Sequence, residues 1–149
     1  MFIHLKRAVL ALVVSVFAVN VYANGDFAAG IKLGKMDPDY GDSETAMGVN
    51  LAYMVDSNIS AEAEILQADA GAGNVDSVGV YGAYRSDGEL YFLGKIGFVD
   101  LDGPGISESG LSYGLGGGLR INSKVSVEAE YTSLDSDLKF LGFTARLRF

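Results

Sequence analysis

The nine residues Leu141-Gly142-Phe143-Thr144-Ala145-Arg146-Leu147-Arg148-Phe149 alternate without a break. Leu141, Phe143, Ala145, Leu147 and Phe149 share one face, and Gly142, Thr144, Arg146 and Arg148 share the other. A strand turns successive side chains to opposite faces, so this segment reads as a ribbon with an oily side and a cationic side. Such a ribbon needs hydrocarbon against one face and a place for its charges on the other.

The same pattern recurs along the chain. Alternating stretches lie near 26–34, 45–55, 59–67, 75–85, 89–99, 109–121 and 125–134, and with 141–149 they make eight. Most are about 9–11 residues, the length of a tilted strand that crosses an outer membrane. No stretch after residue 24 carries the 3.6-residue apolar stripe of a helix.

The connections alternate in kind. Asp56-Ser57-Asn58, Ser86-Asp87-Gly88 and Asn122-Ser123-Lys124 are tight, polar turns. The links at 35–44, 68–74, 100–108 and 135–137 are mostly longer. That order fits an antiparallel up-and-down barrel of eight strands, with its long links facing out of the cell.

Periodicity leaves open whether the oily face meets lipid or a soluble core, and two features choose lipid. Aromatics on that face fall at two heights: Phe27, Tyr53, Tyr84 and Phe149 near the short turns, and Phe98, Tyr113 and Tyr131 farther along. Paired girdles of this kind mark the two membrane interfaces. The polar face is crowded with glycine (Gly30, Gly34, Gly48, Gly110, Gly114, Gly116, Gly118), which suits a narrow lumen.

The start of the chain reads as an export signal over 1–23, with the barrel domain at 24–149. Lys6 and Arg7 precede an apolar run from Ala8 to Val19, and Val21-Tyr22-Ala23 is a small-x-small cleavage site. The processed chain loses Lys6 and Arg7 and no acid, so its formal charge moves from −8 to −10. A strongly acidic chain is a poor partner for nucleic acid. It holds no cysteine, so no disulfide braces it.

With lipid outside, the charged strand residues meet inside. The expected network comprises Lys32, Lys95, Arg120, Arg146 and Arg148 with Glu62, Glu64, Glu128 and Glu130. The near balance fits an internal ion-pair network, because an unpaired buried charge is costly. Strand order puts Glu128 and Glu130 within reach of Arg120 and Arg146. An eight-stranded barrel is narrow enough to be filled by its own side chains, so a plugged interior is expected ahead of a conducting one.

The export signal, the glycine-alternating strand Leu111 to Arg120, the Val127-Glu128-Ala129-Glu130-Tyr131 strand and terminal Phe149 together resemble the small outer-membrane β-barrel family. Its relatives include OmpX, opacity-type (porin-family) proteins and the membrane domain of OmpA. The resemblance implies the outer membrane as location, membrane lipid and lipopolysaccharide as surroundings, and insertion machinery that reads Phe149 as an assembly signal. It also implies an extracellular surface ligand as a candidate partner. The chain lacks tryptophan, so its girdles rest on Tyr and Phe.

Chemistry is sparse. His4 is the sole histidine and lies in the expected signal, so the processed chain cannot build a Ser-His-Asp, Cys-His or typical zinc site. No cofactor and no metal centre are expected. A lipid-modifying enzyme is the main catalytic rival, and a narrow channel is the main transport rival. Asp37, Asp39 and Asp42 form a candidate weak cation site, although Gly41 and Asp42 depart from the order of a calcium loop. The expected role is structural or surface-interactive, with an acidic rim of links.

Overall fold

The computed structural model describes residues 27–38, 44–70, 73–103, 106–135 and 138–149. Eight strands follow in order: β1 (Phe27–Pro38), β2 (Glu44–Met54), β3 (Ile59–Ala70), β4 (Gly73–Arg85), β5 (Leu90–Gly103), β6 (Ile106–Arg120), β7 (Val125–Asp135) and β8 (Leu138–Arg148). Each pairs antiparallel with the next, and β1 closes back onto β8, so the sheet is a barrel without a free edge. Closure satisfies every ladder without an exposed rim of backbone donors, which hydrocarbon demands.

The alternation resolves as lipid-facing outside and polar inside. Ile31 and Phe143 are 67% and 66% exposed, whereas Lys32 beside Ile31 is 2% exposed. The girdle at the turn end is built by contact, with the Phe27 and Tyr53 rings edge to face at 5.1 Å between centroids. These two residues face each other in the β1–β2 register. Tyr84 stands at the same end, and Phe98, Tyr113 and Tyr131 stand exposed farther up the wall.

The turn end carries the connections at 55–58, 86–89 and 121–124. Asp56 Oδ1 accepts from the backbone N–H groups of Asn58 and Ile59, each at 2.7 Å. Those two donors hold the Asp56 carboxyl below its ordinary value. Asn122 repeats the device, accepting from Lys124 and Val125 at 2.8 Å. The middle turn uses Gly88 instead, whose φ of +105° favours glycine.

At the far end the strands run past the positions where the apolar alternation stops. The β3–β4 ladder continues to Ala70↔Gly73 and the β5–β6 ladder to Gly103↔Ile106. Most of the links expected at 68–74 and 100–108 are therefore strand, and the acids there occupy ladder rungs, as in Asp76↔Asp102. Backbone pairing needs no apolar side chain once the wall has left the hydrocarbon, so periodicity ends before the strand does.

Inside that far end the barrel is apolar. Met36, Leu66, Val99, Leu101, Leu134, Leu138 and Phe140 are buried in one cluster with small alanines and Val75. The interior is thus layered, with a greasy plug beyond a polar section.

Inward glycines let the wall close tightly. A Cβ on Gly97 would lie 2.7 Å from the Tyr81 Cα and 2.8 Å from the Val80 carbonyl carbon, backbone atoms that cannot swing aside. Gly97→Ala is expected to destabilise the barrel by about 1–3 kcal/mol. The check is the urea midpoint of the protein refolded into detergent micelles.

Candidate functional site

The polar section of the lumen is two closed rings of charge. In the first, Lys32, Glu64, Lys95 and Glu130 come from β1, β3, β5 and β7, so alternate strands supply alternate signs. Lys32 Nζ pairs with Glu64 at 2.5 Å and with Glu130, and Lys95 Nζ pairs with Glu64 at 2.9 Å and Glu130 at 2.8 Å. Each ammonium touches both carboxylates, and the ring is neutral.

The second ring lies nearer the turns and uses arginine. Arg85 reaches Glu62 at 2.5 Å and Glu128 at 2.6 Å, and Arg146 lies 3.3 Å from Glu128 and 3.8 Å from Glu62. The Arg85 guanidinium forks, with Nε and Nη2 both donating to Glu128 and Nη1 and Nη2 both to Glu62. Forked, charge-assisted bonds of this kind are the strong ones. Ser60 Oγ, Asn50 Nδ2 and the Tyr91 hydroxyl donate to the carboxylates at 2.7, 2.9 and 2.5 Å.

Glycine makes room for these long side chains. Across the ladders Lys32 faces Gly48, Lys95 faces Gly114, Glu128 faces Gly118, and Glu130 lies between Gly116 and Gly142. A Cβ on Gly114 would sit 3.1 Å from Lys95 Cε. The polar-face glycines are thus the space into which the charges fold. Aromatics line the first ring where it meets the plug: Lys95 Nζ is 4.4 Å from the Tyr81 ring centroid and Lys32 Nζ 5.8 Å from that of Phe140.

Seven of the nine residues expected in the network come together: Lys32, Glu62, Glu64, Lys95, Glu128, Glu130 and Arg146. Arg120 and Arg148 correct that expectation. Arg120 is bent onto the middle turn, donating to the carbonyls of Gly88 and Ser86 and lying over the Tyr91 ring. Arg148 is exposed at the turn end. Both have the inward parity, but they stand too close to the mouth to reach the glutamates.

Arg85 is the residue that sequence reasoning missed. It closes the 75–85 stretch and shares the parity of inward Tyr81 and Ala83, so the signal was present, yet the expected network omits it. Of the candidate cation site, Asp37 is an exposed residue of β1 opposite Lys139 in the β8 register. Asp39, Asp42 and the expected export signal lie outside the described residues. Phe149 extends the closure of the barrel, its N–H donating to the Phe27 carbonyl at 2.9 Å.

The family described as "Outer membrane protein beta-barrel domain" matches residues 9–149. The fold is similar to the N-terminal β-barrel domain of OprF from Pseudomonas aeruginosa, with TM-score 0.61 and 9% identity over 82% of this chain and 97% of that one. It is also similar to Neisserial surface protein A, with TM-score 0.56 and 13% identity over 83% and 96%. A de novo designed transmembrane barrel superposes with TM-score 0.63 and 15% identity over 85% and 98%. No curated protein matches the sequence.

Proposed function

The chain belongs to the outer-membrane protein β-barrel family and resides in the outer membrane, and from that premise we propose a sealed, non-catalytic barrel with a structural or surface-interactive role in the envelope. One observation carries the reading: two charge rings and an apolar plug occupy successive levels of the lumen. Two neutral rings leave no uncompensated charge to attract a permeant ion. Beyond them Phe140, Leu66, Leu101 and Leu134 are fully buried in the apolar cluster, so an ion would have to leave water entirely.

On this reading the far end faces the cell exterior, where Asp37, Glu44, Asp100, Asp102 and Glu108 give an acidic rim among lipopolysaccharide. A surface ligand or adhesion partner would be met there, and Phe149 would be the residue that the insertion machinery reads. The lipid-modifying alternative would need a base; the sole histidine, His4, lies in the expected signal, and the luminal carboxylates Glu62, Glu64, Glu128 and Glu130 are each held by cations.

Planar-bilayer recording tests the proposal. The refolded protein is expected to give no steady conductance. A steady current that falls on Glu128→Gln or Arg146→Gln would establish the narrow channel instead.

A further inference from the structure

Closure removes the free edge wherever neighbouring strands run level, but at the far end β6 outruns β7. The β6–β7 ladder begins only at Tyr113↔Ser133, whereas the β5–β6 ladder runs without a register shift to Gly103↔Ile106. The chain of β7 and β8 does not cover the difference, because their hairpin closes at the Asp135↔Leu138 rung. Among the described residues, 107–110 of β6 therefore have β5 on one side and no strand on the other. At roughly 3.4 Å per residue this is about 13 Å of open edge.

The direction of the backbone groups follows from the turn end. The Arg120 N–H donates to the Glu89 carbonyl on the β5 side at 2.7 Å, and the Ile121 N–H donates to the Val125 carbonyl on the β7 side at 3.0 Å. Successive residues of a strand send their N–H and C=O groups to opposite sides, so even residues of β6 bond β5 and odd ones face β7. Ser107 and Ser109 thus aim their backbone donors and acceptors away from β5. The surroundings are open: Ser109 and Gly110 are exposed, and a Cβ on Gly110 would meet nothing within 4 Å. Such an edge is a template for one more strand.

Charge selects the occupant. Across the ladders Ser109 faces Asp100, Ser107 faces Asp102, and Asp102 in turn faces Asp76. No lysine or arginine occurs in 65–84 or 96–119, the stretches that build this side of the far end. Lys35 and Lys139 stand on β1 and β8, on the other side of β7. A strand added to β6 would lie two strand spacings, about 10 Å, from β5. Lysine and arginine are long enough to span that distance to the aspartates. A second copy of this chain would bring the same acids to the edge, and like charges oppose that pairing.

We propose that the β6 edge at Ser107 and Ser109 binds an extended, basic segment of a partner protein, which joins the sheet as a short strand. Main-chain hydrogen bonds to the two serines supply affinity, and Asp100 and Asp102 select for lysine or arginine. The inference deepens the surface-interactive role and rests on this end facing the cell exterior.

The probe is a short synthetic peptide of alternating lysine and valine, added to the refolded protein in an uncharged maltoside detergent. Amide hydrogen exchange, read by NMR, should find Ser107 and Ser109 unprotected in the free protein and slowed about tenfold or more with peptide bound. The same peptide with every backbone nitrogen methylated keeps its charge and should not bind. Ser109→Pro removes one edge donor without touching the β5 ladder, and should weaken binding about tenfold. Asp100→Asn combined with Asp102→Asn should also weaken it, and Lys35→Gln on β1 should leave it unchanged. Protection of Ser107 and Ser109 before peptide is added, by this chain or by a second copy, overturns the proposal. So does equal binding of the methylated peptide, or no binding at all. Heat-dependent gel mobility verifies folding of each variant. Should Ser109→Pro not fold, the methylated peptide decides the matter on the unaltered protein. A conducting barrel in the bilayer recording would overturn the sealed role and leave this edge standing, so the two failures are distinct.

Discussion

Arg85→Ala should cost the barrel about 3–5 kcal/mol, the effect of removing one partner from a buried ion pair. Arg85 is the hub of the second ring, the group that forks onto both Glu62 and Glu128. Without it two carboxylates, 5% and 3% exposed, share one arginine whose contacts are 3.3 and 3.8 Å. The loss arises from stranded charge rather than from a missing attraction. Adding Glu62→Gln to Arg85→Ala should therefore recover part of the stability, whereas independent contributions would sum. Equilibrium urea unfolding of the protein in micelles measures both. An Arg85→Ala variant within about 0.5 kcal/mol of the parent would mean that the glutamates are hydrated and the ring carries no stabilisation.

Phe140→Ala should cost a similar amount for a different reason. The ring is fully buried in the apolar plug. It lies over Gly142, where a Cβ would come within 2.5 Å of the Phe140 Cζ. Truncation removes the buried ring and leaves a void that the surrounding sheet, fixed by its ladders, cannot collapse to fill. Phe-to-Ala changes of this kind cost about 3–5 kcal/mol. Phe140→Leu keeps most of the volume and should lose much less. If the two substitutions were equally harmful, the aromatic contact with Lys32, at 5.8 Å, would be the important feature, and space filling would not.

The face of each strand was written in its alternation. Residues such as Ile31, Val80, Ile96 and Phe143 stand outside, and Lys32, Glu64, Lys95 and Glu130 stand inside, as period two requires. Height was much harder to read. Arg85, Arg120 and Arg148 have the same inward parity and all lie at strand ends beside the turn end, yet one organises a ring and two lie at the mouth. Tilt and stagger between neighbouring strands set which residues are level, and neither leaves a trace in the order of one strand's residues. The plug was obscure for a related reason. Leu101, Leu138 and Phe140 are apolar residues on the inward face, and only their meeting across the barrel makes them a core.

The order of residues by itself fixed the number of strands, their faces and the demand that inward charges find partners, because alternation and solvation cost are local properties of a ribbon. The closed fold alone decided who pairs with whom. Two rings that each alternate sign, a carbonyl-held Arg120 and an apolar cluster at the far end depend on distances across the lumen, and those exist only once β1 has met β8.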